Sequence, residues 1–255
     1  MVTCSDVADF LEQIAPPQLA EEWDNTGLIA GSSNAGVKKI LVCLDVTFAA
    51  LKKAAAEKAD LIVSHHPLIF KGIKRIVEDD VKGRQIFTAI RNGISVISAH
   101  TNLDYADKGV NFRLASVLGL TDTVLLGNGP GRVGMLENRK NLNDFVRYVK
   151  DCLDVPNVRV VGRADSGIEK VAVFSGSFDG DLDAVQRSGA DVTVTGDIKY
   201  HTALDAAEAG MCLIDAGHFN TEKIVLPYLA ALLAERFPDV EIVRYKQETD
   251  PFITY

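Results

Sequence analysis

Residues 40–64 read ILVCLDVTFAALKKAAAEKADLIVS, and the reading of this stretch decides the fold. ILVCLDVT (40–47) is a near-continuous apolar run, as in a strand covered on both faces, FAALKKAAAEKA (48–59) reads as a helix, and DLIVS (60–64) returns to an apolar run. A helix at about 81–91, closed by Asn92 and Gly93, leads to a third run, ISVIS (94–98). Strand, helix, strand with apolar residues on both strand faces is the pattern of a mostly parallel sheet covered by helices, an α/β fold. Upstream, a start near Thr3 or Ser5, apolar Val7, Phe10, Leu11 and Ile14, and a stop at Pro16 and Pro17 predict a short helix. The polar loop EEWDNTGLIAGSSNAG (21–36) comes next. Its WDN (23–25) holds the only tryptophan, expected as a packed loop anchor.

The second half repeats the first. KILV (39–42) and KVAV (170–173) lie 131 positions apart, and Ala59-Asp60 and Ala190-Asp191 keep that offset. Further on, GISVI (93–97) aligns with GMCLI (210–214) at an offset of 117, so the second copy is shorter by 14 residues between its strands. The expectation is two similar α/β halves with mostly parallel or mixed sheets, residues 1–125 and 126–255, a metal site between them and no inserted third domain. The join would be GNGPGRVG (127–134), too short for a flexible linker.

A chain of 255 residues is one to two domains long and buries enough surface to fold without staples. At 47% hydrophobic and 24% charged residues it falls outside the disordered, collagenous and low-complexity classes. Acidic side chains outnumber basic ones 35 to 27, and a net charge of −8 repels a polyphosphate backbone, so nucleic acid is not an expected partner. Cys4, Cys43, Cys152 and Cys212 are far apart and make neither a zinc ribbon nor a disulfide framework. Asp6, Asp9 and Glu12 interrupt any apolar leader, and no stretch approaches the ~20 apolar residues of a membrane span. No membrane and a cytoplasmic protein are the expectations.

The chemistry should lie with the histidines. There are five, His65, His66, His100, His201 and His218, each within a few residues of the C-terminal end of a predicted strand. Ligands of open α/β sheets bind outside those ends, so side chains distant in sequence can converge there. Asp104 comes four residues after His100 in HTNLD, and Glu222 four after His218 in HFNTE. In SHHP the two histidines precede Pro67, which favours extended backbone, and adjacent extended residues point to opposite sides, a geometry suited to two neighbouring metals. An isolated His-His pair also fits hydrogen-bonded loop histidines. Asn220 or Thr221 could cap the helix TEKIVLPYLAALLAERF, placing Glu222 in its first turn, where it could serve the helix dipole instead.

Taken together, imidazoles and carboxylates without thiolate suit Zn, Fe, Mn or Co, and five to six ligands exceed the need of one ion. Two divalent ions sharing a carboxylate would lower the pKa of a bridging water and leave a positive pocket that attracts anionic substrates. Lys71, Lys74 and Arg75 after SHHP could hold a phosphate or be simply solvated. Asp197 and His201 in TGDIKYH stand at the strand end that matches SHHP in the duplicate.

WDNTGL (23–28), SHHPL (64–68), HTNLD (100–104), TGDIKYH (195–201) and GHFNTE (217–222) together resemble the NIF-three-like dinuclear metal centre proteins, also called GTP cyclohydrolase 1 type 2 homologs. The resemblance spans nearly the whole chain and is to the short form of that family. It implies that His65 and Asp104 bind one metal and His66 and His218 the other, with Glu222 bridging both, so that two divalent ions (Zn, Fe, Mn or Co) sit in each chain. His100 would neighbour the site, and Asp197 stands where the family pattern has Glu. A ring-shaped homohexamer, a trimer of dimers, is also implied. The expected function is a dinuclear metal-dependent hydrolase acting through a metal-bridging hydroxide on an anionic or nucleotide-like small molecule, either a ring or a phosphoester. His100 and His201 are the candidates for moving protons. The other class is a metal-binding regulatory or chaperone-like protein without turnover.

Overall fold

In the computed structural model, which describes residues 1–178 and 180–253, the apolar runs are parallel strands. In chain order the strands are β1 (Gly27–Ala30), β2 (Lys39–Cys43), β3 (Leu61–Ser64), β4 (Ser95–Ser98), β5 (Thr121–Leu125), β6 (Arg132–Asn141), β7 (Arg159–Val161), β8 (Gly167–Ser177), β9 (Val192–Gly196), β10 (Cys212–Asp215) and β11 (Glu241–Arg244). Among the described residues they form two sheets, ordered β1-β4-β3-β2-β11 and β5-β6-β8-β9-β10-β7. The strands β4, β3, β2 and β11 are parallel, with β1 antiparallel at the edge. In the second sheet β8, β9 and β10 are parallel, and β6 and β7 flank them antiparallel.

The repeat seen in the sequence is a repeat of register. Ile40 stands opposite Leu61 and Val171 opposite Val192, each pair displaced by 131 residues from the other. Leu61 faces Ser95 and Val192 faces Cys212, which keeps the offset of 117 on the next strand. Even the entry to the first strand is copied. The Asp60 carboxylate accepts from the N–H groups of Lys38 and Lys39 (2.7 and 3.0 Å), and the Asp191 carboxylate from those of Glu169 and Lys170 (2.9 and 2.8 Å).

Apart from the edge strand β11, the parallel strands bury both faces, which is why their sequences are largely apolar. In the first sheet Leu41, Ile62 and Val96 pack with Ala50, Leu51 and Ala54 of the helix Phe48–Glu57 and with Ile86 and Ala89 of the helix Val81–Arg91. In the second, Val171, Val173, Val192, Val194 and Ile214 lie against Phe145, Val149 and Leu153 of the helix Leu142–Leu153. The alternate residues Ala172 and Leu213 face Val185 and Ala206, from the helices Leu182–Ser188 and Tyr200–Glu208. The first helix, Cys4–Ile14, begins where expected, with Thr3 and Asp6 forming a capping box.

The chain divides into a unit of Met1–Ala106 with Leu226–Glu248 and a unit of Asp107–Val225 with the segment from Thr249. This differs from a single division at residue 125. β5 pairs with β6, so GNGPGRVG is the turn of a hairpin and not a join, and β11 returns to lie parallel beside β2 of the first sheet. The expected helix from Thr221 is also differently built. A short helix His218–Glu222 with Gly217 at its N-cap comes first, then a 3₁₀ turn (Lys223–Val225), then the helix Leu226–Arg236. Thr221 caps nothing. It is fully buried, and its hydroxyl accepts from the Gly176 N–H (2.9 Å) while facing the carbonyls of His218 and Gly217 (2.9 and 3.0 Å). Glu222 therefore closes a short helix instead of opening a long one, and the helix dipole does not account for it.

Candidate metal centre

In the first unit, three of the expected residues meet at the ends of β3 and β4. His65 and His66 come directly after β3, and His100 is the N-cap of the short helix Thr101–Tyr105 beyond β4. Their ring centroids are 4.9, 5.3 and 5.4 Å apart, and one ring nitrogen from each lies within 4.8 Å of the others, so the group could hold a metal ion. Asp104, at the end of that helix turn, brings Oδ1 to 3.6 Å from Nε2 of the fully buried His65. In the second unit His218 and Glu222 lie on one helix at i and i+4, with Nε2 and Oε2 3.1 Å apart, and Glu222 is buried.

Each of these imidazoles is held at its other nitrogen. His65 Nδ1 bonds to the Ala99 carbonyl (2.9 Å), His66 Nδ1 to the Asp45 carboxylate (2.9 Å), His100 Nδ1 to Asp24 (2.7 Å) and His218 Nδ1 to Asp197 (2.9 Å). All four partners are acceptors, an arrangement that favours the proton on Nδ1, and the Nε2 atoms of His65 and His218 face the Asp104 and Glu222 carboxylates. An acceptor behind the ring that fixes tautomer and orientation is what metal-ligating histidines have. The donor set fits a divalent metal.

Several residues behind the site carry no functional signal of their own in the sequence. Asp45 stands at the end of β2, and its N–H and that of Leu44 donate to the Glu248 carboxylate (2.9 Å each). Burial pushes the Glu248 carboxyl above its usual range, against those hydrogen bonds. Asp197, which stands where the family pattern has Glu, has φ +50°, a conformation uncommon for any residue but glycine, and bonds to His218 Nδ1. Asp215 at the end of β10 accepts from the N–H groups of Ile198 (3.1 Å) and Gly217 (3.0 Å) and pairs with Arg159. It thus ties together the loops that carry Asp197 and His218. Gly176 lies in the irregular end of β8 with φ +68°, and a Cβ there would run into the Glu222 carboxylate and come within 3.4 Å of His218 Nε2. The absent side chain makes the space in which these two donors sit.

The WDN loop inverts the expectation placed on it. Trp23 is 58% exposed, and the anchors are its neighbours. Asp24, its side chain enclosed, accepts from His100 and from the N–H and hydroxyl of Thr101 (3.0 and 2.5 Å), and Asn25 donates to the Ile69 carbonyl (2.6 Å). His201 stands in the second unit. It is exposed in the first turn of the helix Tyr200–Glu208, beside the ring of Tyr200, and no candidate metal group among the described residues includes it.

Burial alone would raise the Asp24 carboxyl, but the hydrogen bonds from His100 and Thr101 and the charge of the imidazole outweigh it and hold Asp24 well below the usual carboxylate range. A depressed folded-state pKa contributes stability above the unfolded value of about 3.9, and that stability is lost as pH falls toward the folded value. Asp24→Asn should therefore be less stable than the parent by a constant margin above about pH 5, and the margin should narrow below about pH 4. Urea melts at pH 3, 4, 5 and 7 measure it, and a margin independent of pH would show that the Asp24 charge contributes nothing.

Residues 2–251 match the DUF34/NIF3 family (NGG1p interacting factor 3). The chain belongs to the DUF34/NIF3 family. Among its DUF34/NIF3 relatives, a Clostridium perfringens protein named GTP cyclohydrolase 1 type 2 homolog is 36% identical over 97% of this chain and 98% of its own length. Of solved structures, Staphylococcus aureus SA1388 superposes with a TM-score of 0.93 at 32% identity, covering 99% of both chains. A Bacillus cereus protein related to NIF3 gives 0.95 at 28% identity over 100% of this chain and 99% of the other. The α/β architecture with two mixed sheets is that of these neighbours. Among the described residues no helix is long and apolar enough to cross a membrane.

Proposed function

We propose that the chain is a metal-dependent hydrolase holding two divalent ions, with His65 and Asp104 as ligands of one, His66 and His218 of the other, and Glu222 shared. The observation that carries this reading is the set of acceptors behind the rings: each histidine of the ligand set has Nδ1 bonded to a carbonyl or carboxylate, the outer contact that orients a metal-ligating imidazole. Nitrogen and oxygen donors without thiolate agree with Zn, Fe, Mn or Co. The thiol at the end of β2, Cys43, is fully buried, and burial pushes its pKa up, away from the thiolate a metal would need. Two bound divalent ions would lower the pKa of a coordinated water and so supply a nucleophile near neutral pH. His100, held at Nδ1 by Asp24, presents Nε2 as the group that takes up or returns a proton. Asp24 holds that ring in one orientation and tautomer, which suits a proton shuttle.

The substrate class this supports is a small anionic molecule, a nucleotide-like ring opened by water or a phosphoester. The name carried by the Clostridium perfringens relative favours the ring. Self-association as a homohexamer, a trimer of dimers, belongs to the same reading. Elemental analysis after mild dialysis tests the metal count, with close to two ions per chain expected. A value at or below one after reloading with Zn²⁺, Mn²⁺ and Fe²⁺ would overturn the dinuclear reading. Full loading without turnover of nucleotides, cyclic amides or phosphoesters would make this a metal-dependent binding protein.

A further inference from the structure

We propose that Trp23 and Phe70 form a stacking platform for a planar heteroaromatic ring, next to the histidine cluster of the first unit. The substrate is then a flat heterocycle carrying an anionic group, such as a nucleoside monophosphate. The proposal rests on the histidine cluster being the reaction centre, and it adds the part of the substrate that does not react.

Both rings are on the surface, Trp23 at 58% and Phe70 at 43% exposure. They meet each other edge to face at 5.5 Å and 60°, and both meet His100, at 6.1 Å and 72° for Trp23 and at 5.8 Å and 75° for Phe70. Rings inclined to one another in this way leave a face of each exposed aromatic on which a flat guest would stack while meeting the edge of its neighbour. The rings are not exposed because their loops are loose. Asn25 binds the carbonyl of Ile69, the residue before Phe70, while Asp24 clamps His100 and Thr101. The Glu21 N–H donates to the Thr101 hydroxyl (3.0 Å), and the Tyr105 hydroxyl donates to the Glu21 carboxylate (2.7 Å). Polar contacts already anchor the loop, so the tryptophan is not needed as an anchor and is held facing solvent.

The segment C-terminal to Phe70 supplies the positive charge for an anionic group. Lys71, Lys74 and Arg75 are exposed on the next turns of chain, and a hollow of about 430 Å³ lined by Ile73, Lys74, Arg75, Asp80, Lys82 and Gly83 opens there, with three cations to one carboxylate. Arg75 lies 3.5 Å from Asp80, and the ammonium of the half-buried Lys82 loses solvation, a loss that a bound anion would offset. A ring platform with cations next along the chain matches the order of base and phosphate in a nucleotide.

Trp23 is the single tryptophan of the chain, so its fluorescence reports on this platform alone. The experiment titrates the full chain, metal-loaded and EDTA-treated, with guanosine monophosphate, ribose 5-phosphate and inorganic phosphate. The expected result is saturable quenching by guanosine monophosphate, at least ~10-fold tighter than binding of ribose 5-phosphate, in both forms of the protein, and weakened ~10-fold by Phe70→Leu. Thermal melting checks that the variant is folded, and calorimetry on Trp23→Leu gives the same comparison without the fluorophore. Equal affinity for the two phosphates, or no effect of Phe70→Leu, would overturn the proposal. So would a fluorescence that tracks protein concentration instead of ligand, because a second copy of the chain would then cover the rings. Ring-dependent quenching in a chain that loads no metal would sink the hydrolase reading and leave the platform standing, whereas two bound metals without such quenching would do the reverse.

Discussion

Glu222→Gln is expected to abolish retention of both metal ions, whereas His218→Ala should release only one. The carboxylate is buried, 4% exposed, and lies 3.1 Å from His218 Nε2 in the space left by Gly176. Gln keeps the shape and one acceptor but removes the charge that, on the proposed reading, would compensate two cations. The loss should exceed the ~10- to 100-fold that removal of an outer partner costs. Thermal melting gives a second readout. Each site filled at a hundredfold excess over Kd stabilises the folded chain by about 2.7 kcal/mol, and this increment should vanish in the variant. In EDTA, without that increment, the variant loses the charge on its contact with His218, so its melting point there should differ from the parent's by less than in the metal-loaded form. A variant that melts lower in EDTA yet keeps both ions would show Glu222 to be a structural group.

How much of the molecule was legible in its sequence depends on burial. The strands β2, β3, β4, β8, β9 and β10 were readable because a strand covered on both faces has to be apolar throughout, and the repeat was readable because the same register recurs at 131 and 117 residues. Edge strands were not. β7 (Arg159–Val161) and β11 (Glu241–Arg244) bury too little to leave a pattern, and β11 joins a sheet whose other strands ended some 140 residues earlier. The five histidines could be placed at strand ends, yet among the described residues an acceptor holds the rings of His65, His66, His100 and His218, and nothing local in the sequence separates His201 from them. The acceptors themselves left one usable signal. Asp45 precedes His66 by 21 residues and Asp197 precedes His218 by 21, one strand–helix–strand step in each half. An aspartate at the end of one strand and a histidine at the end of the next is therefore itself a repeated motif. Asp24, 76 residues from His100, leaves no such trace.

The same geometry makes a sharp expectation for His100→Ala: both metals stay, and turnover of a nitrophenyl phosphoester by the metal-loaded protein falls by at least ~100-fold, the low end of a general acid–base contribution. The competing idea is that His100 merely props Asp104, in which case its loss should weaken metal binding ~10- to 100-fold. The main chain argues for the first. Asp104 is positioned by its own N–H, which donates to the His100 carbonyl (3.1 Å), and the Leu103 N–H donates there too (2.8 Å), contacts that alanine preserves. The side chain does something else: its Nδ1 is committed to Asp24, and its ring touches His65 and His66 as well as the exposed rings of Trp23 and Phe70. Metal content and turnover measured on one preparation separate the two ideas. If His100→Ala loses metal, and excess ion restores both metal and activity, His100 moves no proton. If the ions remain and activity does not return at any metal concentration, the group that carried the proton is gone.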